Sequence, residues 1–122
     1  VPASQTVNGH NSFSGVYSHK RGAALAGLGY TGRSSLFITK EYGSMVRLGT
    51  VFTSLDLKAE NKELKSDCGD CKICILKCPA MALSEEGIDR KSCSDYMKKA
   101  FQHIGRGSVC GICIKECPKN KL

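Results

Sequence analysis

Residues 68–79 read CGDCKICILKCP, and residues 110–118 read CGICIKECP. The first stretch has the spacing C-x2-C-x2-C-x3-C-P, and the second repeats the closing C-x2-C-x3-C-P of that pattern. With Cys93 between them, the two stretches contain all eight cysteines of the 122-residue chain. This half of the chain therefore decides which fold and which chemistry are expected.

The spacing divides the cysteines into two groups of four. Three cysteines two residues apart can wrap one loop around a cubane cluster, and the cysteine before proline, placed at the start of a helix, reaches the other cluster. The sequence thus predicts two [4Fe–4S] clusters in a bacterial ferredoxin-like domain. The first cluster would be bound by Cys68, Cys71, Cys74 and Cys117, and the second by Cys78, Cys93, Cys110 and Cys113. Cys93 is expected on a helix within 90–104.

Structural zinc is the main alternative, because C-x2-C pairs also bind zinc. Two C-x3-C-P endings in cross-related positions are not typical of zinc sites and favour iron–sulfur clusters. A disulfide framework is disfavoured because the chain shows no signal-peptide pattern, so a reducing cytoplasm is expected. No apolar run approaches the ~20 residues that span a bilayer, so no membrane association is predicted.

The formal net charge of +7 would by itself suggest an anionic partner. However, two oxidised clusters with their thiolates would contribute about −2 each and leave roughly +3. The basic excess therefore says little about nucleic acid. The sequence also shows no P-loop, Ser-His-Asp arrangement or paired-carboxylate site.

The half without cysteines predicts a small α/β unit. "VYSHKRGAALA" (16–26) is rich in helix formers, whereas "SLFIT" (35–39) and "MVRLGTVFT" (45–53) read as strands joined by a turn at 40–44. "LKAENKELKS" (57–66) is polar and reads as a linker or a short exposed helix. The predicted fold class is α+β, with a partial α/β segment at 1–56, a linker at 57–66 and the two-cluster domain at 67–122.

The stretch "GLGYTG" (27–32) has the G-x-G-x-x-G spacing of a dinucleotide-binding turn. Such a turn follows a strand and opens a helix, so that the pyrophosphate meets the helix N-terminus. Here the motif closes a predicted helix and enters a predicted strand, which argues against NAD. Gly27 and Gly29 are instead expected to provide the left-handed end of the helix.

"AGLGYTGRSSLFIT", "EYGS" and "RLGTVFT", followed by the eight-cysteine segment, resemble the iron–sulfur proteins related to epoxyqueuosine reductase and the reductive dehalogenases. The resemblance covers roughly residues 1–120. It implies a nitroreductase-like domain that carries cobalamin and receives electrons from two [4Fe–4S] clusters. It also places the turn containing Gly27, Gly29 and Gly32 beside the corrinoid, and it implies tRNA as a partner.

Three departures from this resemblance matter. Phe13 and Lys20 stand where the tRNA-modifying members have an aspartate proton donor and an arginine, so the catalytic acid is expected to be missing. Family members are longer on the N-terminal side, and some have a helical-repeat tail that would follow Leu122. A segment of about 55 residues makes a marginal core alone, so it is expected to be ordered by a homodimer partner or by the cysteine half.

Electron transfer within the C-terminal portion of a corrinoid-dependent reductase is therefore the function that the sequence favours. The alternative is a stand-alone ferredoxin-type carrier or interaction module without its own substrate. A flavodoxin- or ferredoxin-type donor is expected, because lysines surround the cysteines; the same lysines could instead compensate the charge of the clusters. His19 resembles a family position near the cofactor, but a solvated residue on a helix face is the favoured prediction.

Overall fold

The computed structural model describes residues 17–58, 62–105 and 109–121. The helices are α1 (His19–Leu25), α2 (Ile73–Lys77), α3 (Arg90–Phe101) and α4 (Ile112–Lys115), with a 3-10 turn at Gln102–Ile104 after α3. The strands are β1 (Gly29–Thr31) and β2 (Phe37–Thr39). In the described part of the chain, no helix is long and apolar enough to cross a membrane.

Helix α1 is shorter than the predicted 16–26 but lies within it. The Ser18 hydroxyl accepts a hydrogen bond from the Arg21 amide at its N-terminus (3.2 Å), which satisfies one of the free N–H groups there. After Ala26 the chain turns at Gly27, whose φ of 69° is the left-handed conformation that glycine adopts readily. The predicted helix end at Gly27 is therefore confirmed.

Strands β1 and β2 form an antiparallel hairpin, in which Tyr30 is paired with Ile38. The prediction that Gly29 belongs to the helix end is wrong, because Gly29 begins β1 and pairs with Thr39. Packing explains why residue 29 is a glycine. A Cβ at Gly29 would collide with the backbone of Ile38, so the two strands can pair closely only with glycine there.

The strand predicted over 45–53 is also wrong, since this stretch forms no strand. Val46 and Leu48 pack against the small core of Ala23, Ala24 and Phe37, but β2 pairs only with β1 in the described sheet. β-Branched residues favour a strand only where a partner strand and a face to bury are present. The predicted turn at 40–44 is confirmed and is closed by a bridge between Thr39 and Gly43.

The cysteine half consists of short helices joined by turns. Cys93 lies on α3, as predicted. Residues 57–58 and 62–66 contain no helix, which leaves the linker as the interpretation of that stretch, while residues 59–61 lie outside the described residues.

Direct contacts join the two halves. The Ser44 amide and hydroxyl donate to Asn120 Oδ1 at 2.9 and 3.0 Å, and the Arg33 guanidinium donates to the Gly69 carbonyl at 2.7 Å. The N-terminal segment was expected to be ordered either by a homodimer partner or by the cysteine half. These contacts show that it packs against the cysteine half. The homodimer stays a prediction.

The N-cap of α3 allows a first test of the fold. The Asp89 carboxylate accepts from the amides of Lys91 (3.0 Å) and Ser92 (3.2 Å), and its bonds to Ser92 lower its pKa. Asp89→Ala is expected to lower the thermal midpoint, because these amides lose their acceptor. Asp89→Asn keeps a capping oxygen and serves as the control. Circular dichroism melts of the anaerobic protein measure both, and equal melting of Ala and Asn variants would contradict the role of the cap.

Candidate metal centres

Two cavities collect the eight cysteines. The first is lined by Cys68, Cys71, Cys74 and Cys117, together with Arg33, Ser34, Ile38, Pro118 and Lys119. These four thiols come from the loop before α2, from α2 itself and from the residues after α4. The cavity is narrow, about 20 Å³, so its fit to a cluster rests on the identity and convergence of the four sulfurs.

The second cavity is wider, about 240 Å³, and is lined by the other four cysteines: Cys78, Cys93, Cys110 and Cys113. Its remaining lining is largely apolar and includes Leu83, Ile88, Met97, Ile112 and Ile114. Ile112 and Ile114 are placed to keep water away from this cavity. Leu76 has no such role, since it is 81% exposed.

The two quartets are those predicted from the spacing, but the local structure that produces them differs. Cys78 and Cys117 were predicted to begin helices; instead, Cys78 caps the C-terminal end of α2 and Cys117 follows the end of α4. The helices α2 and α4 pack against each other. Each therefore carries the chain from the cavity of its first cysteine to the other cavity, where its last cysteine lies.

Three of the cavity thiols have raised pKa values. Burial, followed by the charges of Cys110 and Cys93, raises the pKa of Cys113 to about 11. Burial also raises the pKa of Cys74 and of Cys93. Four thiolates in one such cavity would repel one another in poorly solvated surroundings, and a cationic metal centre removes that penalty by binding the deprotonated sulfurs.

The donor set fits an iron–sulfur cluster better than a single metal ion. Among the described residues, no three His, Cys, Asp or Glu side chains are placed to hold one ion. Tetrahedral zinc with Zn–S bonds of about 2.3 Å would draw its sulfurs to about 3.8 Å from one another. A cubane lets four thiolates surround a wider centre. All eight cysteines are free thiols.

Backbone amides point at one sulfur in each cavity. The Arg33 amide donates to Cys68 Sγ and the Ala82 amide to Cys78 Sγ, both at 3.4 Å. Hydrogen bonds to ligand sulfurs orient them and stabilise added negative charge. Sequence reasoning did not identify these two donors, because neither amide belongs to a cysteine loop.

No protein-family model matches the chain. Three epoxyqueuosine reductases do align with most of it. That of Lactococcus garvieae is 35% identical over 81% of this chain. Those of Gloeobacter violaceus and Staphylococcus aureus are 36% and 34% identical over 87% and 88% of it. Homologues of this chain therefore include epoxyqueuosine reductases. The aligned part is 31%, 37% and 30% of these proteins, so the chain spans about a third of the length of these relatives.

Solved epoxyqueuosine reductase structures are similar in fold. The enzyme from Streptococcus thermophilus superposes with a TM-score of 0.65 at 28% identity, covering 85% of this chain and 32% of that one. A selenomethionine-labelled epoxyqueuosine reductase gives a TM-score of 0.68 at 24% identity, covering 84% of this chain and 30% of that one. Together with the homologues, these structures confirm the resemblance to epoxyqueuosine reductases and the mixed architecture of short helices and a small sheet.

The glycine turn at 27–32 comes close to a cysteine of the first cavity. A Cβ at Gly32 would approach the Ile38 side chain and lie 3.4 Å from Cys68 Sγ. Gly32 thus lets the end of β1 lie close to a cavity cysteine, a contact that its place in a G-x-G-x-x-G spacing does not reveal. The placement of Gly27, Gly29 and Gly32 beside a corrinoid stays a prediction.

Of the two positions that depart from the epoxyqueuosine reductase pattern, the structure describes one. Phe13 lies outside the described residues. Lys20 donates to the Ser35 carbonyl at 2.7 Å, and burial, followed by the nearby Arg90 charge, lowers its pKa. The solvated position predicted for His19 is wrong. His19 is buried, and its Nδ1 lies 2.8 Å from Thr50 Oγ1, because the stretch after β2 folds back over α1.

Proposed function

We propose that this chain is the electron-transfer portion of an iron–sulfur reductase of the epoxyqueuosine reductase type, and that it binds two [4Fe–4S] clusters. The observation that carries the proposal is the crossed pairing of cysteines. Each cavity takes three cysteines from one part of the chain and one from beyond the helix of the other part. This pairing, in which each crossing cysteine is separated from the previous one by three residues and is followed by a proline, is typical of two-cluster ferredoxins.

A bound cluster would supply one-electron chemistry at each cavity, and the surrounding residues would hold it and keep water away. The Arg33 and Ala82 amides orient Cys68 and Cys78. Leu83 is buried beside the second cavity and keeps that side dry. The packing of α2 against α4 keeps the two quartets close, which suits electron transfer between them.

An exposed apolar strip favours the proposal that this chain is a portion of a larger reductase and not a stand-alone carrier. Val51 is 90% exposed, Phe52 64%, and Leu55 and Leu57 71% each. Strongly exposed apolar residues so close together in sequence are typical of surfaces that other protein covers. A small independent carrier would gain little from this strip, whereas a reductase with further domains would bury it.

Finer parts of the proposal come from the resemblance alone. The reductase would be corrinoid-dependent and would act in the cytoplasm on tRNA, with electrons from a flavodoxin- or ferredoxin-type protein. Among the described residues, the contacts of Gly29 and Gly32 are made within the hairpin and to Cys68. Those contacts do not identify a corrinoid site.

Elemental analysis of anaerobically purified protein tests this function. We expect about eight iron atoms and eight sulfides per chain, with a visible absorption band that bleaches on reduction, as two cubanes require. Cobalt in addition would support the corrinoid-dependent part, and iron without cobalt would restrict the proposal to electron transfer. Zinc without sulfide would overturn it.

A further inference from the structure

The two cavities differ in charge. The residues that line the first include Arg33 and Lys119. The second is about twelve times larger in volume, yet none of the described residues that line it is an aspartate, glutamate, lysine, arginine or histidine. A centre that gains an electron therefore has cationic residues beside it in the first cavity and none among the described lining residues of the second.

Arg33 is fixed in the wall of the first cavity from both ends. Its amide donates to Cys68 Sγ at 3.4 Å, and its guanidinium Nη2 donates to the Gly69 carbonyl at 2.7 Å. Its side chain is only 22% exposed. The same residue thus contacts a thiol and the loop that follows it, and its charge is partly shielded from water.

The Arg33 charge is not cancelled locally. Glu85 Oε2 lies 3.8 Å from Arg33 Nη1, but Glu85 also makes a much shorter ion pair with Lys72. Two cations therefore share one carboxylate, and this group keeps a net positive charge. Glu85 is 60% exposed, so water screens it further. Lys119, by contrast, has a partner of its own in Asp67 at 2.6 Å.

We infer that Arg33 is a positioning residue that raises the reduction potential of the centre in the first cavity above that of the centre in the second. Adding one electron makes a cluster more negative, which a nearby cation favours and a dry apolar wall opposes. The amide bonds from Arg33 and Ala82 to sulfur are alike in length, so they do not produce the difference. This inference rests on the proposed function.

The order of potentials sets the direction of internal transfer. One electron leaves the reduced centre of the second cavity, which is oxidised, and enters the first, which is reduced, with no proton exchanged. The first electron supplied by a one-electron donor then resides at equilibrium beside Cys68 and the β1–β2 hairpin. That hairpin belongs to the non-cysteine half, so the electron is held next to that half of the chain.

A redox titration of the complete, two-cluster protein, followed by electron paramagnetic resonance, tests the inference. The wild type is expected to reduce first at the first cavity, with signals assigned through variants that lack one cysteine pair. Arg33→Gln should lower that potential by about 59 mV, a tenfold shift in the ratio of reduced to oxidised centre. The second centre should not move. Arg33→Lys, which keeps the charge, should retain most of the wild-type value.

Two further variants separate charge from general disturbance. Glu85→Gln removes the only anion beside Arg33 among the described contacts, so it should shift the first potential upwards, opposite to Arg33→Gln. Lys77→Gln removes one exposed positive charge on α2 and should leave both potentials nearly unchanged. Three results would overturn the inference. The potentials of both centres could shift equally, neither Arg33→Gln nor Glu85→Gln could shift a potential, or the wild type could reduce first at the second cavity. Protein that holds no iron would overturn the proposed function instead.

Discussion

Adding Cys117→Ala to a chain that already carries Cys93→Ala and Cys110→Ala is expected to reduce bound iron from about four atoms to nearly none. The double variant removes two of the four thiols of the second cavity and leaves the first quartet complete. Cys117 belongs to that first quartet, although in sequence it lies beside Cys110 and Cys113. Its removal leaves three sulfurs and an iron site open to solvent and chelators.

The matched control adds Cys78→Ala to the same double variant. Cys78 lines the second cavity, which is already disabled, so about four iron atoms should remain bound. Iron and sulfide are counted after anaerobic reconstitution and incubation with a chelator. If each cluster used cysteines close in sequence, the results would be exchanged, with Cys78→Ala emptying the protein and Cys117→Ala changing nothing. That exchange would contradict the crossed pairing.

The cysteine quartets could be predicted from sequence because cluster ligation depends on short, regular spacing. Three cysteines two residues apart have few ways to surround one centre, and a proline after the fourth restricts where the chain goes next. The positions of the helices were harder to predict from the sequence. Cys78 and Cys117 end helices instead of beginning them, since the turn that each helix completes, and not the proline, carries the sulfur to the other cavity.

The N-terminal half was predicted less well because its local signals compete with tertiary contacts. The β-branched residues of 45–53 indicate a strand, but pairing partners decide whether a strand forms, and here Val46 and Leu48 pack on a helix instead. The burial of His19 depends on Thr50, which is 31 positions away in sequence. Nothing in a local pattern announces such a contact. The role of Gly32 beside Cys68 is hidden for the same reason.

Gly43→Ala is expected to be among the most damaging single substitutions outside the cysteines. Gly43 has a φ of 60°, a conformation that costs other residues about 1–2 kcal/mol. A Cβ there would also lie 2.6 Å from both N and Cα of Asn120 and closer still to the Lys119 carbonyl. These are backbone atoms that cannot rotate away, so overpacking adds about 1–3 kcal/mol.

The effect should reach the first cavity through residue Asn120. Its side chain accepts from the Ser44 amide and hydroxyl and donates to the Ile114 carbonyl at 2.6 Å, so it ties the turn after β2 to α4. Pushing residues 119–120 away from Gly43 would displace Cys117, only two positions earlier. Besides a lower thermal midpoint, Gly43→Ala should therefore release the iron of the first cavity to a chelator faster than that of the second.

Gly105→Ala separates this contact from backbone strain. Gly105 has a φ of 69°, close to that of Gly43, but no described atom lies within 4 Å of the position that its Cβ would take. The Gly105→Ala variant should lose only the stability that the unfavourable backbone conformation costs, about 1–2 kcal/mol. Denaturation and chelator-release measurements on the two variants give the comparison. Equal losses would show that strain alone acts at Gly43. A larger loss there, with selective iron release, would establish that the hairpin half holds Cys117 in its cavity.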